Sequence, residues 1–211
     1  MSRRTANSTS THFFETFRGE GKPAARGKYM SRVFGIFAEE LVRIWADDPH
    51  CPYEDLGRPT ITKRGDTSRS TLDFTLHHKA SRKVFVAELK CEIEYQGYKY
   101  LTLSDVQQLD HHNKAAFDAL LDSARAPTEQ RVLVKGKEVR IDGAILIWGA
   151  TTPEGRRAVM REKGFFNVLA MTNIINDLRS WRPELYCQFV EDRRSWTTDL
   201  FDALLDECPS D

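Results

Sequence analysis

The sequence has little cysteine: four residues in 211, at positions 51, 91, 187 and 208. No two share a C-x-x-C spacing, so neither a structural zinc site nor a disulfide framework is expected. Cys91 lies in an apolar stretch, where a thiol serves as a small buried hydrophobe. Long apolar runs are also missing. The longest, residues 144–150, falls far short of the roughly 20 residues that a bilayer-crossing helix needs. Residues 1–11 are polar and carry no apolar core of a secretory signal. These absences lead us to expect a soluble, cytoplasmic protein with no membrane partner. Net charge is missing too, with 31 basic and 31 acidic side chains. That balance argues against a protein that coats nucleic acid by bulk charge.

What is present points to a folded domain. Hydrophobic residues make up 40% and charged residues 29%, enough apolar content for one real core. The charge is unevenly spread. Residues 1–32 carry seven basic side chains against Glu15 and Glu20, a net of +5, while residues 191–211 carry two arginines against seven acids, a net of −5. A basic arm is suited to following a phosphate backbone; a solvated tail accounts for it equally well. We expect a polar basic arm over 1–27, a domain over 28–182 and an extension over 183–211 that is acidic at its end.

Apolar spacing predicts a helix over 29–46, with Val33, Phe34, Phe37, Leu41 and Ile44 on one side. Strands are expected over 60–63, 71–77 and 83–91, the short connections favouring an antiparallel meander. A long helix over 103–121 follows, opened by Ser104, then a buried strand over 139–148. Thr152 and Pro153 open a helix reaching 163. A strand over 166–170, a helix from Thr172 to 181 and a short helix near 198–205 complete the chain. A further short helix around Phe13, Phe14 and Phe17 is conceivable. The order describes a mixed α/β (α+β) sheet flanked by helices.

Within this frame, one group of residues resists a purely structural reading. Side chains alternate along a strand, so Glu88 and Lys90 share one face of the stretch 84–91, while Phe85, Ala87 and Leu89 share the other. Charge on a strand with buried character needs compensation. On the preceding strand Asp73 can approach Glu88, and two neighbouring carboxylates raise each other's pKa unless a cation lies between them. Mg²⁺ suits oxygen ligands of this kind and keeps several waters. Lys90 would then orient the attacking water or neutralise charge on a phosphate. On a helical wheel centred on Phe37, Glu40 falls inside the apolar arc and Glu39 faces water. Glu40 is therefore expected either at this site or in a buried pair with an arginine. Gln108 and His112 border the buried stripe of the expected long helix. Contact with a phosphate or base edge is one reading for them, a polar border the other. Tyr95, Tyr98 and Lys99 follow the strand directly and could stack on bases or contact phosphates, or pack on the next helix. His77, His78 and His111 read as surface residues.

Asp73 in Thr-Leu-Asp-Phe, followed by the triplet Glu88-Leu89-Lys90, resembles the signature of the PD-(D/E)xK nuclease superfamily. That restriction-endonuclease-like fold has an αβββαβ core, and the element order over about 29–148 is similar. The resemblance implies a Mg²⁺-dependent nuclease acting on DNA, with Mn²⁺ able to substitute and an endonuclease favoured. It implies Glu40, Asp73 and Glu88 as metal ligands and Lys90 as the catalytic lysine. Some branches carry Q-x-x-x-Y on the next helix; here Gln108 has His112 at the tyrosine position. No proline precedes Asp73, where Leu72 stands. A homodimer or a partner subunit is left open by the sequence. Two other readings stay open: a catalytically silent nucleic-acid-binding or interaction module on this fold, and an unrelated α/β protein in which Glu88 and Lys90 form ion pairs.

Overall fold

The computed structural model describes residues 29–90, 101–112 and 114–206. The first helix, α1 (Tyr29–Asp47), forms because Phe34, Ala38, Leu41, Val42 and Trp45 recur one turn apart and are all buried. It ends where Pro49 follows Asp48, and the Asp48 carboxylate accepts the His50 backbone N–H at 2.9 Å.

The chain then builds a five-stranded mixed sheet. Strands β1 (Tyr53–Asp55), β4 (Phe74–His78) and β5 (Lys83–Lys90) pair antiparallel in that order. Beyond β5 come β9 (Gly143–Trp148) and β11 (Asn167–Ala170), both parallel to it. Every residue of β9 is buried, as expected for a central strand covered on both faces. One face packs on α1 and α4 (Met171–Trp181), using Phe74, Phe85, Ala87, Ile145 and Ile147. The other uses Val86, Ala144, Leu146 and Trp148, and meets α2 (Ala115–Arg125) through Phe117 and Leu120.

A second, four-stranded antiparallel sheet extends this second core. Its strands run in the order β3 (Ser70–Thr71), β2 (Pro59–Lys63), β7 (Gln130–Val134), β8 (Lys137–Val139). A short parallel pair, β6 (Thr102–Leu103) with β10 (Ala150–Thr151), lies beside α3 (Pro153–Lys163). The last helix, α5 (Glu184–Asp206), leans on α1 through an edge-on contact of Phe37 with Phe189.

The architecture is thus a mixed α and β fold, but several elements differ from the expectations. The strand expected over 71–77 is two strands in two sheets, β3 and β4, with a break at Leu72 and Asp73. Because β2 sits in the second sheet, the three expected strands are not one meander. The helix expected over 103–121 does not start at Ser104. Leu103 is in β6, Asp105 caps a 3-10 turn (Val106–Leu109), and the α-helix begins only at Ala115. The reason is close packing: a Cβ on Gly155 of α3 would lie 2.5 Å from the Leu103 carbonyl oxygen, so this backbone is pressed against α3 as strand. The strand expected over 139–148 loses its first part to a hairpin, β7–β8. That hairpin turns at Lys135 and Gly136, both with positive φ, the backbone of a tight two-residue turn. Ala170, not Thr172, precedes α4 as its cap residue. The final helix is 23 residues long rather than a short segment near its end. The segment around Phe13, Phe14 and Phe17 lies outside the described residues.

Candidate active site

Asp73 sits where the chain leaves one sheet for the other. Leu72 is still tied to the second sheet, its N–H donating to the Pro59 carbonyl at 3.2 Å. Phe74 already pairs with Ala87 of β5. In that register Asp73 lies across from Glu88. The regular ladder stops here, and the Asp73 side chain replaces the missing carbonyl: its Oδ2 accepts the Leu89 N–H at 2.9 Å. A carboxylate is thereby locked at the mouth between β4 and β5.

Glu88 is 6% exposed and lies on the same face as Val86, opposite Leu146 of β9. Its Oε1 accepts from Lys90 Nζ at 2.6 Å. Its Oε2 is buried without a hydrogen-bond partner. Burial, and then the Asp73 carboxylate beside it, push the Glu88 pKa up to about 7, against the pull of Lys90. Two acids share this point with one lysine, and one oxygen between them is unsatisfied.

The remaining residues divide into those that reach this point and those that do not. Glu40 does not. It is exposed and pairs with Arg43 at 2.8 Å. The buried face of α1 is centred on Ala38, Val42 and Trp45, about 100° round from Phe37. That rotation turns Glu39 toward the site instead. Arg58 links them, with its Nη2 3.3 Å from Asp73 Oδ1 and 3.8 Å from Glu39 Oε2. Neither Glu39 nor Arg58 stood out in the sequence. Ala38 was the available signal, since a helix packed closely on a sheet favours a small residue at the contact.

Gln108 is engaged elsewhere. Its Oε1 accepts the Ser104 and Asp105 N–H groups at 2.7 and 2.9 Å, and its Nε2 donates to the Thr102 carbonyl at 3.0 Å. It closes a capping box with Asp105, so its amide serves to fix the backbone of this turn. His112 is partly buried against Phe117 and Trp148, and Trp148 pairs in register with Lys90. Burial, then the charges of His111 and Lys90, hold the His112 pKa down at about 3, so its ring is neutral. Tyr95, Tyr98 and Lys99 lie outside the described residues.

Two depressions lie elsewhere. One, of about 340 Å³, is lined by Trp45, Arg156, Asn173 and Asp177 among others. The other, of about 370 Å³, lies between α1, α4 and α5. Neither includes Asp73, Glu88 or Lys90. Among the described residues, no group of three or more His, Cys, Asp or Glu is arranged to hold a metal ion. The donor set at Asp73 and Glu88 is therefore two carboxylates with one open oxygen. It fits a hard cation that takes only one or two protein carboxylates and retains its waters. No described helix is long and apolar enough to cross a membrane. Compared with models of protein families, with characterised proteins and with solved structures, the chain matches none.

Proposed function

We propose that this protein is a Mg²⁺-dependent nuclease that hydrolyses phosphodiester bonds in DNA, with a restriction-endonuclease-like core of the PD-(D/E)xK type. One observation carries the reading: the buried, unpartnered Oε2 of Glu88 beside the Asp73 carboxylate, with Lys90 on the other Glu88 oxygen. An ionised pair of this kind is costly unless a cation or a proton joins it.

Each residue has a separate task. Asp73, held by the Leu89 N–H, and Glu88, held by its strand, would hold the ion through carboxylate oxygens whose main-chain anchors are already fixed. A bound Mg²⁺ supplies a polarised phosphate and a water of lowered pKa. Lys90 is anchored through Glu88 but 21% exposed along its side chain, so its ammonium can donate to a phosphate oxygen or to the attacking water. His112 is neutral and adds no positive charge to that of Lys90.

A second reading has its own support. Among the described residues only Asp73 and Glu88 meet directly at this point, and Glu40 stands away from it. That favours a silent nucleic-acid-binding module on the same fold. Incubating plasmid and single-stranded DNA with Mg²⁺ or Mn²⁺ separates the two. Asp73→Ala and Lys90→Ala should each lose at least about a hundredfold in cleavage rate. Equal cleavage by wild type and both variants would remove the site, and no cleavage by wild type would leave the silent module.

A further inference from the structure

The four carboxylate oxygens at the site are not equally available. Glu88 Oε1 holds Lys90, and Asp73 Oδ2 holds the main-chain N–H of Leu89 at the strand edge. Glu88 Oε2 is open. Asp73 Oδ1 is taken by Arg58 at 3.3 Å. An ion held by both acids would need one oxygen from each. Glu88 can give Oε2 at once. Of the two Asp73 oxygens, Oδ2 is fixed in direction by the Leu89 N–H, which leaves Oδ1 the freer to turn toward an ion, and the guanidinium charge held against it opposes a second cation there.

Arg58 is built to release that oxygen. Its side chain is 56% exposed, against 13% for Asp73, so the pair is at the surface and weak. Its backbone is constrained: Pro59 follows, which restricts the preceding residue to extended conformations, and Pro59 is itself paired in β2. The anchor is therefore fixed while the long side chain is free to swing. Arg58 also lies 3.8 Å from Glu39, so a short displacement from Asp73 leaves it at the rim of the site. A planar guanidinium at that rim is suited to phosphate oxygens, which it can hold in a bidentate fork.

We propose that Arg58 is a displaceable placeholder for the cation: it neutralises Asp73 in the ion-free protein, yields Oδ1 to an incoming divalent ion, and then contacts a substrate phosphate at the rim. This rests on the metal-site reading above. It makes ion and nucleic acid mutually reinforcing, since each draws one partner of the Arg58–Asp73 pair away from the other, and such coupling is reciprocal.

Mn²⁺ binding to the full chain, measured by calorimetry without nucleic acid, tests the first half. Arg58→Gln should bind Mn²⁺ about two- to fivefold more tightly than wild type, as removal of a competing surface ion pair allows, and Arg58→Lys should stay near wild type. Anisotropy of a short labelled DNA duplex tests the second half. Ca²⁺ should tighten duplex binding by wild type and do so much less for Arg58→Gln. Equal or weaker Mn²⁺ binding by Arg58→Gln, with the cooperative melting of wild type retained, overturns the placeholder and leaves the metal site standing. If no variant binds Mn²⁺, or Asp73→Asn binds it as well as wild type, placeholder and metal reading fall together. If the Arg58 effect appears without any DNA cleavage, the placeholder stands and the nuclease reading falls.

Discussion

The two faces of β5 are built to different ends. On one, Phe85, Ala87 and Leu89 pack into an apolar layer under α1 and α4. On the other, Val86 begins in the same way, but Glu88 and Lys90 follow at the end of the strand. The first face gains free energy from every residue. The second gives some back, because it holds a carboxylate with an unsatisfied oxygen beside a second carboxylate. Glu88 and Lys90 are backed by the fully buried Leu146 and Trp148 of β9, so the charges stand on a rigid base. Such an arrangement lowers the stability of the ion-free fold.

Four substitutions probe that contrast. The largest effect belongs to the apolar face. Phe85 is fully buried and stacks on Phe166 at a centroid separation of 4.1 Å. Phe85→Ala should destabilise the protein by about 3–5 kcal/mol in denaturant unfolding.

The charged face should respond in the opposite direction. Glu88→Gln should raise metal-free stability above pH 7 by about 1 kcal/mol. The pH dependence gives a sharper test. The folded pKa of Glu88 is raised from 4.5 to about 7, so the native state binds the extra proton between those values. Its contribution is present at low pH and is lost as pH rises through about 7. The folded pKa of His112 is lowered from 6.5 to about 3, so the unfolded state binds the extra proton. Its contribution is present above about pH 6.5 and is lost as pH falls toward 3. The two slopes oppose each other between about pH 4.5 and 6.5. Glu88→Gln should therefore make stability rise with pH more steeply across that interval, and His112→Phe should make it fall. Urea melts at several pH values check the signs; matching slopes in wild type and both variants would refute the assignment.

The smallest effect is expected at Glu40. As an exposed group paired only with Arg43 in the same helix, Glu40→Ala should change stability by less than about 0.5 kcal/mol. It should also leave Mn²⁺ affinity unaltered. A marked loss of affinity would return Glu40 to the site.

How much of this was legible before folding depends on the range of the signal. Period-two alternation placed Glu88 and Lys90 together, because facing along a strand is a property of consecutive residues. The Thr152-Pro153 start of α3 was legible for the same reason: the Thr152 hydroxyl accepts the Gly155 N–H three residues on, at 3.0 Å. The rotation of α1 was not. Its wheel was set by large side chains, whereas the sheet selects Ala38 and Val42 for close approach. Nor was the fate of Gln108, since its amide caps a turn that exists only because Gly155 lets α3 press on Leu103.

By itself, then, the sequence determined which side chains share a strand face, where most helices begin and end, and that an acidic and lysine group had to be compensated. Only the tertiary structure decided that the stretch around Asp73 divides between two sheets, that Asp73 closes the edge of β5, and that Glu39 with Arg58, rather than Glu40, faces it. Those outcomes turn on contacts between residues far apart in the chain, such as Pro59 with Leu72 and Arg58 with Asp73. Local spacing carries no record of such contacts; they follow from how two sheets and a helix pack.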